Sequence, residues 1–212
     1  INDLYIKMFQ LLFYLFFWYQ LYTHNYYKFN DHKLTMNKVS LFHAIICSFF
    51  FLAFTITDNY SFQHDIYYTS TSYFLFDTYH HIFKSKKNTS TWALIAHHLV
   101  AIYSLHWIFY APWCHGLIDI IGFAELSNIP GYFTYYFKKI YKNDNKNKWI
   151  INYFIVVQTI IYSFIRILVL PSRLYIHDIT KFPIQFYILG VLLYIMGFIW
   201  SIKLINQTKQ LS

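Results

Sequence analysis

Charged side chains are scarce in this chain of 212 residues. Asp, Glu, Lys and Arg together make up 12% of the sequence, whereas hydrophobic residues make up 57%. A soluble globular domain carries about twice that charged fraction, roughly a quarter of its residues. The composition therefore excludes a soluble domain and predicts an integral membrane protein.

Cysteine is nearly absent as well. The two cysteines, Cys47 and Cys114, cannot build the disulfide framework that stabilises small secreted domains. The sequence contains no internal repeat, and the segments between its apolar stretches are too short for a second folded domain. The opening segment lacks a small-residue cleavage site, so we predict that it is retained as a helix.

Seven stretches of the sequence are long enough to cross a bilayer. A hydrocarbon core about 30 Å thick needs about 20 helical residues, and this rule predicts an all-α, polytopic membrane helical bundle. The pattern is compatible with six to eight transmembrane helices, and we place seven at 4–22, 39–57, 66–83, 92–110, 115–137, 149–170 and 183–204. The third span is unusually polar, so we expect it to lie inside the bundle and not against lipid.

The placement of basic residues sets the expected orientation. Cytosolic loops of membrane proteins carry an excess of Lys and Arg. Of the 17 basic residues, 13 lie after the first, third, fifth and seventh spans, including Lys203 in the last turn of the seventh. We therefore predict a lumenal N-terminus and a cytosolic C-terminus. The same asymmetry accounts for the net charge of +8 without a nucleic-acid partner. Glycosylation sequons test this orientation: the one at Asn59 is expected in the lumen and the one at Asn88 in the cytosol.

A pair of adjacent histidines, His97 and His98, lies inside the fourth span. Ionisable residues within the membrane usually mark a site, because a full charge there costs about 2.5–3.5 kcal/mol on insertion scales. Reflection about the turn between the third and fourth spans brings Asp77 level with His98, and His81 and Tyr73 share the face of Asp77. A carboxylate that holds one imidazole nitrogen makes the other more basic, which suits a general base or a nucleophile. The alternative to such a site is a purely structural hydrogen bond between Asp77 and His98 that joins the two helices.

The fifth and sixth spans carry a second set of polar residues. Asp119 and Arg166 both lie about a turn below the lumenal boundary, and we predict that they form an ion pair that holds the bundle together. Glu125 lies deeper in the fifth span, with Asn128 one turn further along its own face.

A helix-breaking dipeptide, Pro130-Gly131, follows these residues and is expected to interrupt the fifth helix. A kinked helix with a buried carboxylate often lines a cavity, although a kink can also be only architectural. The expected lining of a lipid cavity is Glu125, Asn128, Tyr73 and His81.

Taken in order, these motifs resemble the TLC domain. The resemblance covers residues 40 to 205 and rests on Tyr73-Phe74-Leu75-Phe76-Asp77, His97-His98, Ala124-Glu125-Leu126-Ser127 with Pro130, Phe164-Ile165-Arg166 before Pro171, and Trp200 with Lys203. The Glu-Leu-Ser version is similar to the branch typified by TLC domain-containing protein 4. We accordingly divide the chain into a first transmembrane helix with a basic cytosolic loop (1–38), a TLC domain (39–205) and a cytosolic tail (206–212).

The resemblance implies a protein that binds or handles lipid in its helical bundle and influences membrane lipid composition, in the endoplasmic reticulum or a related membrane. It leaves a second function open, because ceramide synthases are TLC proteins that move a fatty acyl group from acyl-CoA to a sphingoid base. His97 and His98 match the family's site, and Asp77 would then orient one of them. Two departures count against that reaction: Ala101 stands where ceramide synthases usually carry Thr, and Ala124-Glu125 with Asn128 replaces their aspartates.

Metal or haem chemistry is the third alternative. Membrane di-iron enzymes need several spaced histidine clusters, and this chain has only adjacent pairs. A bis-histidine haem needs two histidines at the same depth on different helices. His80 reflects onto Ile95, about three residues from His98, so this geometry is nearly reached. We therefore expect no metal and no resident cofactor, with acyl-CoA as a co-substrate if the protein is an enzyme. Membrane lipids, including a fatty acyl chain or a sphingoid base, are the expected partners. A receptor or transporter function would rest only on the number of spans, and the sequence leaves the oligomeric state open.

Overall fold

The computed structural model describes residues 2–57, 59, 61–85, 87–110, 117–141, 145–176 and 184–210. These residues contain no strand, which confirms the all-α prediction. The helices are α1 (Asn2–Phe29), α2 (His32–Thr57), α3 (Ser61–Phe83), α4 (Thr89–Tyr110), α5 (Leu117–Ile140), α6 (Lys148–Phe164), α7 (Leu170–Ile176) and α8 (Ile184–Lys209). One π-helical turn, Ile165–Val169, joins α6 to α7 without a break. Cys47 is buried, whereas Cys114 and Lys86 lie outside the described residues.

Within the part of the chain that the structure describes, four helical segments are long and apolar enough to cross a membrane by length and composition alone. They are His32–Thr57, Thr91–Tyr110, Lys148–Ile176 and Phe186–Lys209. Helices α1, α3 and α5 coincide with the other three predicted spans but are more polar. The apolar helices indicate an integral membrane protein, and the polar ones need protein partners if they are to lie at membrane depth.

The connection between α1 and α2 consists of two residues. Asn30 adopts the left-handed conformation at φ 46°, which Asn tolerates better than most residues. The Asp31 Oδ1 accepts a hydrogen bond from the Leu34 backbone N–H at 3.0 Å and so caps the start of α2. The lysines of the predicted basic segment between the first two spans, Lys28, Lys33 and Lys38, lie within the adjoining ends of α1 and α2.

The chain divides into two compact units. The first comprises Ile1–Val39 and Phe49–His115, and the second comprises Ser40–Ser48 and Gly116–Ser212. In the first unit α3 packs against both α1 and α4. The Trp18 Nε1 of α1 donates to the Thr69 carbonyl at 3.2 Å and to the Ser72 Oγ at 3.0 Å, and the Gln63 Nε2 donates to the Ile108 carbonyl of α4 at 3.0 Å.

The polar helix α3 is largely buried, with 13 of its 23 residues shielded from solvent. The Ser72 hydroxyl and the Gln63 amide of α3 form hydrogen bonds with groups of α1 and α4, which lipid could not replace. This confirms that the third predicted span lies inside its bundle.

In the second unit α5 and α6 run antiparallel in close contact. A Cβ at Gly131 would lie 3.0 Å from the Gln158 Nε2, so glycine permits this approach. The Thr134 Oγ1 donates to the carbonyls of Pro130 at 2.8 Å and Phe154 at 3.1 Å. The predicted interruption at Pro130-Gly131 is wrong, since α5 is continuous. Packing against a neighbouring helix and Thr hydroxyls are what allow proline inside membrane helices.

Candidate functional site

A buried carboxylate, that of Asp77 on α3, lies at the centre of the polar cluster in the first unit and is 5% exposed. Its Oδ2 accepts a hydrogen bond from the Tyr73 hydroxyl at 3.4 Å and lies 3.6 Å from the His81 Nε2. Across the helix pair, the His98 Nε2 of α4 lies 3.4 Å from the same oxygen. Helical spacing placed Tyr73, Asp77 and His81 on one face of α3, and depth matching placed His98 of α4 level with Asp77. The structure brings these four residues together.

The His98 ring is held on both sides. Its Nδ1 lies 3.4 Å from the Thr78 Oγ1, and its ring centroid is 5.2 Å from that of Phe74. A carboxylate beside Nε2 favours the tautomer with its proton on that nitrogen, so the Thr78 hydroxyl is the donor to Nδ1. These contacts are long for hydrogen bonds, and a base role for Nδ1 requires that the Thr78 hydroxyl turn away.

His97 and His98 face different surroundings because adjacent helical residues point about 100° apart. The ring centroids of the two histidines are 5.8 Å apart, and His98 is the member of the pair that reaches Asp77. His97 is half-buried on the neighbouring face of α4.

Two imidazoles share one buried carboxylate. His81 is partly exposed, with 22% of its side chain accessible, and its Nδ1 lies 3.2 Å from the Ser85 Oγ. One extra proton on either imidazole gives a positive charge that balances the negative charge of Asp77. A site of low dielectric constant favours such a pair over an unbalanced carboxylate. The group of His81, Asp77 and His98 can therefore hold one extra proton, and His81 is its accessible imidazole.

His80 belongs to a separate aromatic cluster. The centroid of its ring lies 4.5 Å from Tyr22 and 5.4 Å from His32, and the Tyr22 hydroxyl is 2.9 Å from the His32 Nδ1. These rings cover the side chain of His80, which is 5% exposed. Within the described ranges, no group of three or more His, Cys, Asp or Glu side chains could hold a metal ion.

The second unit contains its own buried acid and base. The Glu125 Oε2 of α5 lies 3.6 Å from the His43 Nδ1 of α2, and both side chains are almost completely buried. Our sequence reasoning identified Glu125 and missed His43, because we compared depths only between consecutive spans. The rule that an ionisable residue in an apolar span marks a site applies to His43 and could have found it.

The predicted ion pair of Asp119 with Arg166 is replaced by a different pair. The Asp119 Oδ2 lies 3.5 Å from the Arg173 Nη1. Arg173 follows Arg166 by two helical turns. The contacts of Gly131 with Gln158 and of Thr134 with Phe154 place residue 169 or 170 level with Asp119, and the π-helical turn Ile165–Val169 shifts the register further toward Arg173.

Arg166 instead donates only to neutral acceptors of α5 among the described residues. Its Nε donates to the Ser127 Oγ at 3.0 Å, and its Nη2 donates to the Ala124 carbonyl at 3.1 Å and to the Asn128 Oδ1 at 3.4 Å. Asn128 is thus a partner of Arg166. The Asp77 and Glu125 groups belong to different units, and a lipid cavity lined by both stays a prediction.

A family model described as the TLC domain matches residues 7–206. The match contains both polar groups and begins within α1, which we had placed before the domain. Comparison with curated proteins and with solved structures found no match. The family model covers nearly the whole chain and agrees with the resemblance seen in the sequence motifs. The chain belongs to the TLC domain family, whose members are membrane proteins linked to lipid handling.

Proposed function

We propose that this protein binds a membrane lipid within its TLC domain and thereby influences the lipid composition of the endoplasmic reticulum or a related membrane. The branch typified by TLC domain-containing protein 4 is the part of the family to which we assign it. The observation that carries the proposal is the Asp77 cluster, in which one carboxylate, two imidazoles and a phenol meet inside helices of a membrane protein.

Such a cluster is costly to bury, and intramembrane ionisable groups usually serve a ligand or proton pathway. A polar lipid headgroup would find both donors and acceptors there. A further buried hydroxyl of α3, that of Thr71, has no hydrogen-bond partner among the described residues. A ligand that supplied an acceptor would satisfy it, as buried polar groups require.

The orientation we propose puts the N-terminus in the lumen and the C-terminus in the cytosol. The turn between α3 and α4, with Lys84 and Lys87, then faces the cytosol. This end of the helix pair is the end nearest to His81, so the accessible imidazole would be reached from the side where activated acyl carriers occur.

An acyl-CoA-dependent N-acyltransferase is the second candidate, and the contact of Asp77 with His98 favours it. In that reaction an amine nitrogen attacks the thioester carbonyl, a base takes the amine proton, and the CoA thiolate leaves and is protonated. The base would be His98, which Asp77 would orient, or the adjacent His97. Lysines on the proposed cytosolic side, Lys84, Lys87, Lys138 and Lys139, would attract the CoA phosphates.

Two assays test these functions. Photoactivatable phosphatidylcholine and sphingosine, presented to the purified protein in nanodiscs, should label peptides of α3 and α4, and the double variant Asp77→Asn/His98→Gln should reduce the labelling. The matched control is His106→Ala, because His106 lies on the same helix as His98 but is exposed. Labelling that is equal in both variants would contradict lipid binding at the cluster.

The enzyme candidate needs an N-acyltransferase assay in microsomes with acyl-CoA and a sphingoid base. Activity in the wild type that is lost in His97→Ala/His98→Ala and kept in His106→Ala would establish it. Lipid binding without catalysis predicts no activity above background in protein that is shown to be folded and inserted.

A further inference from the structure

Arg166 is a buried cation on the π-helical turn of the second unit and is 6% exposed. It lies ten residues before the end of α7 at Ile176, about 15 Å along the helix axis. Arginine stays charged in proteins, so a positive charge is fixed well inside a segment long and apolar enough to span the membrane.

The hydrogen bonds of Arg166 leave two donors over. A guanidinium carries five N–H groups, and the contacts with Ser127, Ala124 and Asn128 engage the one on Nε and the two on Nη2. Nη1 forms no hydrogen bond with a described residue. The three engaged acceptors are neutral, and the carboxylates described in this unit, those of Asp119 and Glu125, contact Arg173 and His43 instead.

The surroundings hold the guanidinium in place. Its carbon lies 5.3 Å from the ring centroid of Tyr162, one turn earlier. The Tyr162 hydroxyl is buried and has no hydrogen-bond partner among the described residues. On α8, the absence of a side chain at Gly197 makes room for the arginine stem, since a Cβ there would lie 3.3 Å from the Arg166 Cβ.

The π-helical turn explains how the chain accommodates this arrangement. The Leu170 backbone N–H bonds to the Ile165 carbonyl, five residues back, and this wider turn precedes Pro171, whose ring would clash with the carbonyl of residue 167 in a regular α-helix. Single π-helical turns inside α-helices occur frequently at functional sites.

We propose that Arg166, with the Tyr162 hydroxyl, binds the oxyanion of a lipid-soluble acid, a carboxylate or a phosphate on an amphiphile. The inference deepens the lipid-binding function proposed above and rests on it. The two free hydrogens of Nη1 donate to the anion, whose charge neutralises the buried guanidinium, and charge-assisted bonds of this kind are the strong ones. The acyl chains would lie along the apolar helices, while the acid group is held inside.

The test uses the full chain in nanodiscs of neutral lipid and three diazirine probes: a long-chain fatty acid, its methyl ester and a phosphatidic acid. The ester lacks the charge of the fatty acid and adds only one methyl group, and the phosphatidic acid identifies a phosphate ligand. We expect one acid to label peptides of α5 to α8 and the ester to label them weakly. Arg166→Gln should weaken acid binding by about tenfold to a hundredfold, the range for a hydrogen bond to a charged group.

Arg173→Gln is the matched control, because Arg173 lies two turns further along the same helical segment and is partly exposed. It should leave acid binding unchanged. If Arg166→Gln does not give monodisperse protein, two fallback variants keep the charge of Arg166. Tyr162→Phe removes the hydroxyl, and Gly197→Ala crowds the arginine stem. Each should weaken acid binding severalfold.

Equal affinity for the acid and the ester would overturn the proposal. Acid binding that is unchanged in Arg166→Gln, or in both fallback variants if Arg166→Gln cannot be used, would also overturn it. Arg166 would then be a structural tie between helices. In that case labelling by phosphatidylcholine or sphingosine at α3 and α4 still supports the proposed function. If no lipid probe labels the protein above background, both proposals fail together.

Discussion

The contact between Asp77 and His98 allows a quantitative test of whether the buried cluster stabilises the protein. The perturbation is the pair of variants Asp77→Asn and His98→Gln, singly and together. Both side chains are about 95% buried and their closest atoms are 3.4 Å apart. Asn and Gln approximate the size of the original side chains and remove the charge, so a double-mutant cycle isolates the pairwise energy.

The expected coupling lies at the upper end of what interhelical contacts contribute in membranes. Double-mutant cycles on neutral interhelical hydrogen bonds average about 0.6 kcal/mol and reach about 1.7 kcal/mol. A hydrogen bond to a charged group contributes about 1.5–3 kcal/mol in soluble proteins. The Asp77–His98 contact is charged but long and shared with His81, so we expect a coupling of about 1–2 kcal/mol.

The free energy of unfolding is to be measured by denaturant titration in detergent micelles, with helix content as the signal. The control cycle is Asp119→Asn with Arg173→Gln, whose side chains are 21% and 39% exposed and 3.5 Å apart. Exposed pairs contribute about 0–1 kcal/mol. A coupling for Asp77 and His98 no larger than that of the control pair would refute the view that this cluster is a tightly coupled buried unit.

Three further predictions concern the packing and the orientation. Trp18→Phe removes the donor to Thr69 and Ser72 at a fully buried position, so it should lower the free energy of unfolding by about 1–3 kcal/mol. The control Trp149→Phe, at a mostly exposed position, should change it by less than about 0.5 kcal/mol. Equal effects of the two variants would contradict the buried contact. Asp31→Ala removes the cap of α2 and should cost about 0.5–2 kcal/mol in the same titration, while Asp31→Asn, which keeps a side-chain acceptor, should recover most of it. In microsomes, glycan at Asn88 would invert the orientation proposed here, and a glycan-sized mass shift that Asn59→Gln abolishes would support it.

Depth matching predicts contacts well where a short turn fixes the register. Helix α3 ends at Phe83 and α4 begins at Thr89, so the reflection that placed Asp77 beside His98 had little room for error. The pair Asp119 and Arg166 failed because α5 and α6 are joined by a longer segment that includes a 3₁₀ turn, Asn145–Asn147, and because α6 continues through a π-helical turn. Each of these features shifts the register, and neither has a clear signal in hydropathy.

The contact of His43 with Glu125 illustrates a different limit. Consecutive spans are usually neighbours in space, which is why we compared only them. Helix α2 supplies His43 to the unit built from α5 to α8, and no local pattern reveals which distant helix a given face will meet. The continuous α5 shows the same dependence, since partners on α6 allow the helix to pass through Pro130.

The polarity of α3 has a consequence for how the protein is made. A helix rich in hydroxyls and histidines partitions poorly from the translocon into lipid by itself, and α3 is not among the segments apolar enough to cross a membrane alone. It gains further hydrogen-bond partners when α1 and α4 flank it, through Trp18 and through Gln63 with Ile108. Insertion of α3 is therefore expected to wait for the synthesis of α4, and a substitution on this contact surface would reveal itself as degradation by membrane quality control before any change in lipid binding could be measured.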